Sequence, residues 1–106
     1  MNQLTVQSLA EWLADANRPQ PLLLDVREGW EVQTASLPGT THIPMQEIPG
    51  RLAELDSDRE IVSICHHGGR SMQVALFLER QGLKVHNLTG GMDAWSREVD
   101  PAVPRY

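Results

Sequence analysis

Cysteine is nearly missing from this chain of 106 residues: Cys65 is the only one. A single thiol excludes an internal disulfide framework and fits a reducing, cytoplasmic setting. Positive charge is scarce too. Nine Lys and Arg stand against fourteen Asp and Glu, for a formal net charge of −5, and no basic block occurs. Nucleic acid and anionic membrane surfaces both need a basic footprint, so neither is expected as a partner. No apolar run approaches the roughly 18 residues that a membrane span requires; Val74–Leu78 is among the longest. Residues 1–6 lack the basic region and apolar core of a signal peptide. There is no repeat, low-complexity stretch or internal linker.

What remains is ordinary globular composition, 41% apolar and 22% charged. A chain this long makes one domain and buries roughly 60–65% of the surface that its unfolded form exposes. Residues 1–106 are therefore expected to be a single domain with a core spanning about 3–98. The two prolines of DPAVPRY predict that residues 99–106 form an extended tail on the surface.

Leu9, Trp12, Leu13 and Ala16 recur at helical spacing, with Thr5 or Ser8 as N-cap and a stop between Asn17 and Pro21. Leu22–Val26 and Ile61–Ile64 are short unbroken apolar runs, the form of strands covered on both faces. Residues 27–34 predict a short helix, SLPGTTHIP a loop, and Ile48 to Leu55 a small helix with Pro49 in its first turn. Ser71–Gln81, closed by Gly82, reads as a helix capped by its serine. Val85–Leu88 is a last strand, and Gly90-Gly91 opens a helix through Trp95. Strands alternating with helices predict an α/β fold with a mostly parallel sheet. In such sheets ligands collect beyond the carboxyl ends of the strands, which is where Asp25 and Cys65 both fall.

The stretch IVSICHHGGRSMQ, residues 61–73, sets the only thiol between an apolar run and a glycine pair. A lone cysteine after a β-branched run is most often an inert core residue. The donor-rich HHGGRS favours the other reading, because an inert strand end has no use for it. Gly68 and Gly69 can take backbone angles closed to other residues, so a tight turn can aim successive N–H groups inward as an anion-holding nest. The helix that follows adds free N–H groups and the positive end of its dipole. A cysteine in that field should favour its thiolate, the nucleophilic form, and Arg70 would add a permanent positive charge at the mouth. The loop reads as a cradle for a nucleophile and an anionic substrate.

Other residues carry weaker signals. His66 and His67 beside Cys65 invite a metal, but adjacent side chains diverge and no CxxC or HxxxH spacing occurs, so no metal is expected. Their imidazoles either tune the thiolate or are exposed side chains of a loop whose backbone matters. His86 and Trp12 read as structural. Asp25 and Arg27 read as a buried ion pair or loop brace rather than substrate contacts. Trp30 either covers the site or faces a partner.

Cys65-His66-His67-Gly68-Gly69-Arg70-Ser71 resembles the active-site loop of the rhodanese family of sulfurtransferases. Leu24-Asp25-Val26-Arg27-Glu28, leading on to Leu37-Pro38-Gly39 and Ile43-Pro44, resembles the family's LDVRE…HIPGA.NIP signature, and Leu88 to Trp95 resembles its L.GG..AW motif. Two positions depart: Ser36 stands where the family usually has histidine, and His42 where it usually has asparagine. The resemblance implies a rhodanese-like α/β fold with a central five-stranded, mostly parallel sheet flanked by helices on both faces.

It also implies a double displacement. Cys65 would take the sulfane sulfur of a donor such as thiosulfate, then pass it from a persulfide to cyanide in the test tube or to a thiol. That thiol could be a small molecule or a thioredoxin-like or sulfur-carrier protein. His66, His67, Gly68, Gly69, Arg70 and Ser71 would bind the substrate, with Asp25 and Arg27 as support. The resemblance implies no cofactor, and nothing demands more than a monomer. Phosphatase or arsenate-reductase chemistry on the same fold, and a non-catalytic binding module, are the rivals. Four residues separate Cys65 from Arg70, one fewer than in the related cell-cycle phosphatases, and the smaller ring suits one sulfur atom better than a phosphate.

Overall fold

The computed structural model describes all 106 residues. Its elements are β1 (Asn2–Leu4), α1 (Val6–Ala14), β2 (Leu22–Asp25), α2 (Gly29–Thr34), β3 (Thr41–His42), β4 (Ile61–Ile64), α3 (Gly69–Arg80), β5 (Val85–Leu88) and α4 (Gly91–Glu98). The strands form one all-parallel sheet in the order β1-β5-β4-β2-β3. Every residue of β2, β4 and β5 is buried, as unbroken apolar runs require when both faces are covered. Alternation of side chains along each strand divides the core in two. Leu22, Leu24, Ile61 and Cys65 pack with Val74, Ala75 and Leu78 of α3. Leu23, Val62 and Ile64 pack on the other face with Leu9 and Trp12 of α1 and Met92 and Trp95 of α4.

Several expectations needed correction. The edge strands β1 and β3 are only three and two residues long, too short to carry a period, and SLPGTTHIP therefore read as loop throughout. Residues Met45–Gly50 and Leu52–Glu54 are two 3₁₀ turns rather than one helix, with Pro49 near the end of the first. Thr5 does cap α1, accepting from the Ser8 amide at 3.1 Å. Ser71 does not cap α3: that helix starts at Gly69 behind Gly68, whose φ is +105°. The segment after α4 is not simply extended on the surface. It turns at Asp100, whose carbonyl accepts from the Val103 amide, and Tyr106 comes back against α2 and the Cys65 loop.

Candidate active site

Asp25 pairs in register with Ile64, so the carboxyl ends of β2 and β4 lie side by side and Cys65 follows directly. Its sulfur faces α3. Gly68 donates its backbone N–H to Sγ at 3.0 Å, and the Ser71 hydroxyl lies 3.2 Å from it. Gly68 can turn its amide back because a glycine tolerates the left-handed region without a Cβ penalty. Ser71 is fully buried and also hydrogen-bonds Asn87 Oδ1. Asn87 spends both of its N–H groups on the Gly68 carbonyl and Gln3 Oε1, so its oxygen is fixed toward Ser71. In α3 the Met72 amide bonds to the Gly68 carbonyl, leaving the amides of Gly69, Arg70 and Ser71 as the free donors of a helix N-terminus.

A second helix holds the loop from behind. The amides of Met92 and Asp93 donate to the carbonyls of Cys65 and His66 at 2.9 and 3.0 Å. Gly91 has a φ of +56°, and a Cβ there would strike the Cys65 carbonyl oxygen and lie 2.7 Å from that of His66. The glycine pair that opens α4 is thus a seat for the loop backbone.

The charged groups form a connected set. Asp25 and Arg27 are fully buried and paired at 2.7 Å. Arg27 uses all five N–H groups: three toward Asp25 and the Ala35 carbonyl, two toward the Glu31 carbonyl and the Tyr106 hydroxyl. Glu31 binds Arg70 through both oxygens, each at 2.7 Å, and also accepts from the Glu28 amide and Tyr106. With four donors on one carboxylate, hydrogen bonding to Arg70 first among them, its pKa falls to about 2 against the burial that opposes it. Arg70, expected to present a free positive charge, is therefore clamped by a carboxylate.

The histidines differ from each other. His67 is exposed, and Asp93 is 3.9 Å away. His66 is half-buried between the rings of His67 and Tyr106, and burial, then the neighbouring His67, hold its imidazole below the usual histidine range. His86 is structural, bonding Glu60 at 2.9 Å and meeting Trp12 edge-on. The two family departures find local explanations. Ser36 is exposed and its neighbour Ala35 is anchored by Arg27, while the His42 ring bonds the Arg27 carbonyl at 2.7 Å. Glu31, Asn87 and Tyr106 were missed from the sequence. Glu28-x-x-Glu31 at a helix start is a capping-box spacing that could have drawn attention to Glu31; nothing local marks the other two.

Two outcomes test this construction. Gly91→Ala should cost about 3 kcal/mol in urea unfolding, since both the clash and the positive φ oppose it. In Glu31→Gln the lost ion pair should cost about 2 kcal/mol at neutral pH, discounted because Arg70 is partly solvated. Glu31 has its pKa lowered by folding, so its contribution is present above pH 4.5 and fades as pH falls toward 2. The stability gap between wild type and Glu31→Gln should close over that window.

Residues 5–98 match the rhodanese-like domain family. Putative sulfurtransferase YtwF of Bacillus subtilis is 47% identical over 79 residues, covering 74% of this chain and 77% of that protein. A sulfurtransferase of Allochromatium vinosum is 38% identical over 104 residues, 97% of this chain and 95% of that one. The crystal structure of SSP1007 from Staphylococcus saprophyticus superimposes with a TM-score of 0.85 at 35% identity, covering 99% and 100% of the two chains. The chain spans only 30% of the length of the chloroplastic rhodanese-like/PpiC domain-containing protein 12 of Arabidopsis thaliana, which is 44% identical over 89 residues, 79% of this chain. Five parallel strands, a thiol at the end of the central one, and a match over most of the sequence make this chain a member of the rhodanese-like domain family.

Proposed function

We propose that this protein is a sulfurtransferase that carries sulfane sulfur on Cys65 as a persulfide. The observation that carries the reading is the pair of polar groups, the donating Gly68 amide and the Ser71 hydroxyl, within 3.2 Å of the only thiol in the chain. Relatives named sulfurtransferases support sulfur transfer in general. In the first half-reaction the Cys65 thiolate attacks the outer sulfur of thiosulfate. A bond forms between the two sulfurs, the bond to the sulfonate sulfur breaks, and its electron pair leaves with sulfite. In the second, an acceptor thiolate or cyanide attacks that outer sulfur and Cys65 departs as thiolate. Neither step needs a redox cofactor, and ping-pong kinetics follow.

The remaining assignments extend the same reading. The free amides of Gly69, Arg70 and Ser71, with Gly68, would stabilise negative charge as fixed dipoles that need no reorganisation. His66 and His67 would contribute backbone rather than ring chemistry, and Asp25 and Arg27 would support the site without touching the donor. No helix is long and apolar enough to cross a membrane, and a reducing cytoplasmic compartment, which keeps a lone thiol free, suits a monomer working on small donors and on thiol acceptors. The phosphatase alternative is disfavoured by the length of the loop: four residues between Cys65 and Arg70 enclose a smaller space than a tetrahedral phosphate needs.

Wild type and Cys65→Ser should be exposed to thiosulfate, then measured for intact mass, thiocyanate formation from cyanide, and hydrolysis of a phosphate ester. Gain of one sulfur atom and thiocyanate production on wild type alone are the expected results. Phosphatase turnover without sulfur gain would replace this reading with the rival, and silence in all three assays would leave a binding module.

A further inference from the structure

Cys65 is 1% exposed, so a donor reaches its sulfur only when something moves aside. The two hollows on the surface lie elsewhere, about 130 Å³ between the Met45–Gly50 turn and α3, and about 230 Å³ between α1 and α4. Beside the loop, the side chain packed on it from another part of the chain is Tyr106. Its ring lies 4.0 Å, centroid to centroid, from that of His66, the residue next to Cys65. Trp30, 62% exposed, meets the same ring edge-on at 5.7 Å. The hydroxyl accepts from Arg27 Nη1 at 2.7 Å and donates to Glu31 Oε1 at 3.1 Å, the carboxylate that also grips Arg70. One side chain therefore ties together the end of β2, α2 and the loop.

We propose that Tyr106 is a specificity-determining residue of the Cys65 site, a ring held across the loop by Arg27, Glu31 and His66 that admits small sulfur donors and shuts out bulky ones. What enters rests on the sulfur-transfer reading; the closure itself concerns access to a thiol. Two hydrogen bonds and two ring contacts on a half-buried side chain form the kind of local contact that opens without global unfolding. A tilt of the ring suffices for a donor the size of thiosulfate, whereas a sulfur carried on a peptide needs the ring gone. Burial raises the phenol above its ordinary range, so the hydroxyl keeps its proton and its bond to Glu31 at working pH.

Because Cys65 is the only cysteine, its alkylation reports access without any turnover. In Tyr106→Ala, labelling by fluorescein maleimide should rise about ten-fold or more while labelling by iodoacetamide rises less than about three-fold. The kcat/KM for glutathione persulfide should rise relative to that for thiosulfate by a similar factor. Tyr106→Phe, which keeps the ring and loses both hydroxyl bonds, should fall between. Trp30→Ala removes the outer support of the ring and should shift the labelling ratio the same way by less; it serves if Tyr106→Ala fails to melt cooperatively. Equal changes with both reagents, or none, would overturn the proposal. If the labelling ratio moves as expected but neither donor adds sulfur to the wild type, Tyr106 governs access and the sulfur-transfer reading is what fails.

Discussion

The loop around Cys65 depends on two hydrogen bonds that come from a different helix. The carbonyls of Cys65 and His66 find their partners outside the loop, and buried carbonyls without partners are costly. The Met92 and Asp93 amides, in the first turn of α4, meet that need by donating to the carbonyls of Cys65 and His66. Because a trans peptide is planar, each carbonyl directed at α4 sends the following amide the opposite way. The amides of His66 and His67 thus face away from α4. The clamp that fixes the position of the loop also fixes its polarity, and this is why Gly91 must bring the two backbones into direct contact.

Charge at the site is balanced residue against residue. Taking Asp25 and Arg27 out of water is expensive, and the pair persists because every guanidinium N–H and the carboxylate find partners. Glu31 and Arg70 repeat the arrangement nearer the surface. With both arginines matched by carboxylates, an approaching anion meets little net charge from side chains. Its attraction must come mainly from oriented backbone dipoles, which act at short range. Discrimination among donors then falls to shape, and the side chain joined to both arginine–carboxylate pairs is Tyr106.

How far the sequence could be read follows the range of the forces involved. The buried strands were legible because an unbroken apolar run has one stable placement in a sheet covered on both sides. Cys65 and its glycines were legible because the turn they form is local. The same locality misplaced Ser71, which has the composition of a cap but, two residues inside α3, turns its hydroxyl to sulfur and to Asn87 sixteen residues away. Arg70 was legible as a positive charge, yet its neutralisation by Glu31 is a contact across 39 residues. Tyr106 reaches Glu31 across 75 residues and Arg27 across 79, and no pattern in DPAVPRY announces it. Edge strands β1 and β3 escaped for a simpler reason: with so few residues, register is set by the neighbouring strand.

In the sulfur-transfer reading the site must serve one negative charge at two positions. In the attacking nucleophile it would lie on Cys65 Sγ; in a persulfide it would sit one disulfide-length bond, about 2 Å, farther out. The donors divide in a way that suits both. The Gly68 amide and Ser71 hydroxyl meet the inner sulfur directly, and Ser71, having one proton and two sulfur-side and asparagine-side acceptors, can turn between them as that sulfur gains or loses charge. The first-turn amides of α3 remain unspent for the outer sulfur. A side-chain cation could follow the charge only by moving, whereas a row of amides along a turn and a helix start meets it at both stations without rearrangement, and the clamp from α4 keeps that row in place.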